Sequence, residues 1–164
     1  MLAGESKRGA HEFRIRAGMT GLALALLLAA AARADDIAVN RDNIFSLHET
    51  LEQLAPPFAD PDDPSGVLTM YGNAPAKQAF EQKSPQAPPG SLFVNEKTVS
   101  GKLDAIGVMV RRPENFDAAH GDWEYFFANQ WGDYRSGQLT DCIACHQQAK
   151  SPDFVFFPGA KPQP

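Results

Sequence analysis

Ser91-Leu92-Phe93-Val94-Asn95-Glu96-Lys97-Thr98-Val99-Ser100 is the stretch on which the fold turns. Leu92, Val94, Glu96 and Thr98 alternate with Phe93, Asn95, Lys97 and Val99, and a period of two puts the two sets on opposite faces of a strand. The Pro-rich segment 84–90 in front of it reads as a loop, because Pro88 and Pro89 have no amide to give to a ladder.

Outward from this strand the chain alternates short apolar runs with turn residues. Residues 105–111 and 123–129 read as two further strands, joined through the polar connection 113–121. Upstream, 67–71 is a short apolar strand after an exposed loop at 59–66, and a short helix is expected at 74–82. Ile44, Leu47, Leu51 and Leu54 recur at spacings of three and four, which predicts a helix over 40–54 with one buried face, stopped by Pro56-Pro57. Toward the C-terminus, 132–137 reads as a turn, 139–150 as a helix and 154–157 as a last short strand. No internal repeat or low-complexity tract interrupts the pattern. The expected fold class is α+β, a mainly antiparallel β-sheet with a few helices in a single domain.

Of the 164 residues, 43% are hydrophobic and 21% charged, an ordinary globular composition that excludes a polytopic membrane protein, a coiled coil and a wholly disordered chain. The length suits one domain with a sizeable core and leaves no room for a second. Lys7, Arg8, Arg14 and Arg16 precede an apolar run at 22–32, and Ala32-Arg33-Ala34 supplies a small-x-small pattern before Asp35. That run is about half of the roughly 20 apolar residues a spanning helix needs. Residues 1–34 therefore read as a cleaved signal peptide for export to the periplasm, with no membrane span after cleavage. A buried N-terminal helix and an uncleaved anchor are the alternatives. Residues 35–158 then form the domain and 159–164 a flexible tail. Removing 1–34 takes five basic and two acidic side chains from 15 and 20, which leaves a net charge of −8. A domain this acidic, without a basic stripe, repels phosphate backbones, so no nucleic-acid partner is expected.

Cys142-Ile143-Ala144-Cys145-His146 is the chain's chemical signature. In the C-x-x-C-H pattern one helical turn brings two thiols to the same side, where they form thioethers to the two vinyl groups of one porphyrin. His146 is then carried under the iron as proximal ligand, so the expected cofactor is one covalent haem c. These are the only two cysteines, which excludes a multi-disulfide framework. A thiol–disulfide redox pair remains an alternative, although it calls for a βαβ context near the motif. A metal site or a structural disulfide is another, although His11, His48 and His120 are scattered along the chain.

An electron carrier normally keeps a sixth protein ligand. Met70 and Met109 fall within expected strands, where methionine fills core. His48 lies on the amphipathic helix and His120 in a polar loop beside Gly121. The reading is a five-coordinate iron with an open distal face, whereas Met70 or His48 as sixth ligand would support electron transfer.

Gly90-Ser91-Leu92-Phe93-Val94-Asn95-Glu96, Gly107-Val108-Met109-Val110, Gly121-Asp122-Trp123-Glu124-Tyr125-Phe126, the haem motif, and Ala149-Lys150 leading to Asp153-Phe154-Val155-Phe156 together resemble the cytochrome P-460 and cytochrome c'-beta family. The resemblance covers about half of the mature chain. It implies a mainly antiparallel β domain, usually a homodimer, with the haem near the C-terminus on the histidine of the motif. It also presents a fork. Members of the P-460 type carry a lysine that adds a covalent bond to the porphyrin and is associated with hydroxylamine oxidation. Cytochrome c'-beta lacks that bond and binds nitric oxide or carbon monoxide at an apolar distal face.

In this alignment Asn95 stands where the lysine would be, and Met109 where the cross-linked type has an acidic residue that moves substrate protons. Both departures favour the cytochrome c'-beta side. Lys97, on the same strand face roughly 6.6 Å further along, is the alternative cross-linking residue. The expected distal pocket contains Leu68, Phe93, Asn95 and Met109, with Phe45, Phe58 and Phe80 as further candidates. Lys150, four residues after His146, either caps the haem helix, meets a propionate or the imidazole, or faces solvent. Arg111 and Arg112 pair with propionates or sit in water.

The resulting expectation is a periplasmic gas-binding cytochrome that takes nitric oxide or carbon monoxide for scavenging, transport or sensing. The alternatives are an enzyme oxidising hydroxylamine or nitric oxide, with Lys97 cross-linked, and an electron-transfer cytochrome. A redox protein is a possible partner. A homodimer is expected also because the edge of a small sheet needs covering.

Overall fold

The computed structural model describes residues 38–150, 153–156 and 158; the expected signal peptide and tail fall outside them. Among the described residues no helix is long and apolar enough to cross a membrane.

The first segment departs from the expected helix over 40–54. Only Ile44–Thr50 is helical, as a 3-10 helix, and Leu51 is already extended at φ −113°, ψ 160°. Strands β1 (Glu52–Gln53) and β2 (Phe58–Ala59) follow, and both pair with β3 (Gly66–Gly72) on its one edge, Glu52 opposite Gly72 and Phe58 opposite Leu68. The reason is hydrogen bonding: the edge of β3 offers backbone partners, such as the Met70 carbonyl that accepts from the Leu54 amide at 2.9 Å. Pro56-Pro57 breaks the edge into two pieces. The expected loop at 59–66 thus gives up Ala59 to the sheet.

Helix α1 (Ala74–Gln82) lies where the sequence puts it, with a proline in its first turn and Lys83 in the left-handed region at its end. Asn73 caps it by accepting from the amides of Ala76 at 3.2 Å and Leu92 at 3.0 Å, while its own amide group donates to the Gly90 carbonyl at 2.7 Å. One side chain therefore fixes both the helix start and the entry to β4 (Leu92–Val99). A two-residue turn with positive φ at Ser100 and Gly101 leads into β5 (Lys102–Arg111), which begins three residues earlier than expected. The β4–β5 register shifts between Lys97 and Thr98.

Strand β6 (Trp123–Asn129) matches its expected bounds, but 132–137 is not simply a turn. Asn129 closes a tighter one by accepting from the amides of Trp131 and Asp133 at 3.0 and 3.1 Å, so that β7 (Tyr134–Gly137) pairs back on β6. Helix α2 (Thr140–His146) gives way to a 3-10 turn at Gln147–Ala149 rather than continuing to 150. The last expected strand is absent over its described part: Asp153 and Phe154 adopt φ of 49° and 61°, a turn that cannot enter a ladder. The strand order is β1-β3-β4-β5-β6-β7, antiparallel throughout, and the fold is α+β as expected.

One face of the sheet, with Leu92, Val94, Ile106, Val108 and Phe126, packs under Val39 and Ile44. Burying such side chains contributes about 1.5–3 kcal/mol each. That layer joins the sheet to its first segment. The opposite face, with Met70, Phe93, Met109 and Tyr125, meets α1, Phe154 and Val155 and carries the site.

Candidate functional site

The register of the sheet builds the floor of the site. Leu68, Lys97 and Ala105 stand in one row, Met70, Asn95, Gly107 and Phe127 in the next, and Phe93, Met109 and Tyr125 in the third, all on one face by the period of two. Most of these residues line a cavity of about 250 Å³, walled as well by His146, Val155 and Phe156. Gly107 sits within this floor, and a Cβ built on it meets nothing within 4 Å. The missing side chain is part of what opens the space.

All four expected distal residues, Leu68, Phe93, Asn95 and Met109, line this cavity, and so does Lys97. Of the other phenylalanine candidates none does: Phe45 is exposed on the 3-10 helix, Phe58 belongs to β2, and Phe80 borders a separate small pocket beside Ala79 and Ser84. Phe127 and Phe156 take their place. Alternation along β6 signals Phe127, since it shares a face with Tyr125; Phe156 falls in the 153–156 stretch that carries the family resemblance, but no period assigns it to the cavity.

His146 closes α2. Its Nδ1 lies 2.7 Å from the Phe154 carbonyl oxygen, which can only accept, so the proton sits on Nδ1 and the Nε2 lone pair is left free. The ring is packed between Tyr125 and Phe156, with centroids 5.2 and 5.1 Å away. Burial pulls its pKa below the usual histidine value, which favours the neutral imidazole that ligation requires. A carbonyl that fixes the tautomer is what a metal-ligating histidine normally has behind it.

Cys142 and Cys145 lie one helical turn apart on α2, Cys142 half-buried against the core and Cys145 exposed. Burial, the largest effect on each, raises both thiols above their ordinary pKa. A redox dithiol depends on the opposite shift, and α2 follows an antiparallel hairpin rather than a βαβ unit. Two polar atoms complete the picture: Asn95 Oδ1 and the Tyr125 hydroxyl are buried without a hydrogen-bond partner. Each such atom costs about 1–3 kcal/mol when left unmet. A largely apolar cavity, a histidine with Nε2 free, and two thiols beside it on one helical turn fit a haem.

Lys97 reaches this cavity with its charge already countered. Its Nζ lies 2.8 Å from Asp63 and 3.1 Å from Asp60, and these hydrogen bonds raise its pKa well above the usual lysine value. In return, the Lys97 hydrogen bond and two from Ser65 hold the Asp63 carboxyl at about 2. Gly66 makes the contact possible, since a Cβ there would come within 2.9 Å of Asp60 Cβ and 3.0 Å of Lys97 Cε.

Other expected participants lie elsewhere. His48 is on the far face of the sheet, with Nδ1 2.6 Å from Glu96 Oε1, and Glu96 points away from Asn95 by alternation. It therefore cannot serve as a sixth ligand, and His120 pairs with Asp117 at 2.8 Å. Met70, by contrast, does line the cavity. Lys150 is exposed and opens on a second cleft, shared with Gln86, Ala118 and Phe154, not on the cavity. Arg111 and Arg112 are not left in water: Arg111 is buried and pairs with Asp153 at 2.8 Å, and Arg112 pairs with Glu124 at 2.5 Å.

Comparison with known proteins adds one finding. A family model described as Cytochrome P460 matches residues 48–157, more than half of the chain and all of the elements that line the cavity. No curated protein matches the chain.

Proposed function

The chain belongs to the cytochrome P-460 family, a family of haem proteins, and we propose that within that family it is a periplasmic mono-haem c-type protein that reversibly binds nitric oxide or carbon monoxide. In this reading Cys142 and Cys145 hold the haem by thioethers, His146 is the proximal ligand, and the cavity floor is the distal face. A haem held by these residues would supply an iron able to bind a small neutral ligand.

The observation that carries the proposal is the chemistry of the cavity wall. Apart from His146, its titratable side chain is Lys97, and that ammonium is engaged by Asp60 and Asp63. Among the described residues no carboxylate lines the cavity to take a proton from hydroxylamine, and the protonated lysine nitrogen is a poor nucleophile for a porphyrin cross-link. Leu68, Met70, Phe93, Met109 and Phe127 present apolar surface instead. Such a wall favours neutral diatomics, because water or an anion loses hydrogen bonds there that it cannot recover. Asn95 contributes the polar exception, an amide at the position of the family's cross-linking lysine.

On the proximal side the chain's own groups keep the proton on Nδ1 of His146 and the ring oriented, so that Nε2 stays available as a ligand. An exported domain also suits an acidic surface that remains soluble. The β7 edge of the sheet ends in a four-residue strand beside the exposed Trp131, and a second copy of the chain is the expected cover for it. The test is titration of the reduced, haem-loaded protein with carbon monoxide. One equivalent per chain should bind rapidly; a ferrous protein that does not react would overturn the proposal.

A further inference from the structure

We infer that the buried Arg111–Asp153 pair is the device that positions the His146 imidazole, with Arg111 acting as a positioning residue through Asp153 and the Phe154 carbonyl. The inference deepens the haem reading, since it rests on His146 being the proximal ligand.

The acceptor that fixes the His146 proton is a main-chain carbonyl in a segment that pairs with no strand. Asp153 and Phe154 are consecutive non-glycine residues in the left-handed region, at φ 49° and 61°. Such residues hold that conformation only where the surroundings fix it. Here the surroundings come from three parts of the chain. Arg111 of β5 donates from Nη1 to Asp153 Oδ1 at 2.8 Å, and the Ala87 amide of the Pro-rich loop donates to Oδ2 at 2.6 Å. Trp123 of β6 donates from Nε1 to the Asp153 carbonyl at 3.0 Å. The Phe154 ring lies so close to Gly121 that a Cβ there would come within 2.7 Å of it.

Both charges of the pair are taken out of water, with side chains 4% and 8% exposed, so each depends on the other. The guanidinium also lies over the Trp123 ring, 5.5 Å from its centroid, and 4.0 Å from Asp122. Neither Arg111 nor Asp153 lines the cavity with His146. Their effect on the iron therefore runs through the turn: they set where the Phe154 carbonyl points, and the carbonyl sets the tautomer, orientation and basicity of the imidazole.

The test compares wild type with Asp153→Asn and Trp123→Phe. The readouts are the iron–histidine stretching frequency of the ferrous haem-loaded protein and the Nδ1–H exchange of His146 by nitrogen-15 NMR in the full chain without haem. Both variants should lower the stretching frequency and speed Nδ1–H exchange about tenfold, the factor that loss of one hydrogen bond represents. Arg111→Lys, which keeps the charge, should restore part of the wild-type value relative to Arg111→Met. Unchanged frequency and exchange in a folded Asp153→Asn would overturn the inference. If that variant does not fold, the same result in a folded Trp123→Phe, which removes the indole donor to the Asp153 carbonyl and trims the ring under Arg111, overturns it. If the wild-type chain takes up no haem while Asp153→Asn still speeds Nδ1–H exchange, the haem reading is overturned and the positioning role is supported.

Discussion

Asn95 and Lys97 face one cavity from the same side of β4, and the two carboxylates Asp60 and Asp63 hold the lysine while the asparagine carbonyl has no partner. The charged residue is thereby satisfied by the chain, and the uncharged one is left to whatever enters. This inverts what a cross-linked haem requires, in which the amine must reach the porphyrin as a free nucleophile.

Lys97→Ala should therefore change the intact mass of the haem-bearing protein by the side-chain difference alone and leave its ferrous spectrum unaltered. Mass spectrometry after denaturation checks this. A further mass difference from a lost covalent bond would assign the cross-link to Lys97.

The same ion pair sets an acid limit. The Asp63 carboxyl, held at about 2 in the fold against an ordinary 3.8, binds protons less readily folded than unfolded. Its contribution is complete above 3.8 and is lost as the pH falls from there toward about 2. Thermal melts across that window should show a steeper loss for wild type than for Asp63→Asn. Parallel curves would mean that the pair adds nothing to the fold.

Asn95→Leu removes the unmet carbonyl from the cavity wall and should raise the stability of the haem-free chain, by about 1 kcal/mol if one buried polar atom is relieved. Denaturant melts test it, and a destabilised variant would show that Asn95 is better satisfied than its geometry indicates.

Met70 is the cavity methionine that an electron carrier would use as a sixth ligand. In the gas-binding account it is wall, so Met70→Ala should cost about 2 kcal/mol or more of stability as a buried truncation while the ferrous spin state stays the same. Conversion from a low-spin to a high-spin spectrum would instead establish a methionine ligand.

Much of this was legible from residue order. The alternation in 91–100 places Asn95 and Lys97 on one face, the short helix expected at 74–82 is α1, and the C-x-x-C-H motif lies on α2 within the helix expected at 139–150. What stayed hidden lacks a period. Two-residue strands such as β1 and β2 are too short to alternate, and β7 reads as a turn because its residues are half or fully exposed. The partner of His146 is a carbonyl, which every residue has. Only the left-handed turn at Asp153 and Phe154, set by contacts from β5, β6 and the Pro-rich loop, brings that carbonyl to the imidazole.

The most direct test of the central claim is the optical spectrum of protein matured with haem in an exporting host, recorded reduced and then reduced with nitric oxide. An uncross-linked haem on His146 should give an ordinary high-spin c-type ferrous spectrum that shifts on adding the gas and is lost in His146→Ala. The red-shifted ferrous band for which the P-460 type is named would mean a cross-linked porphyrin and would contradict it.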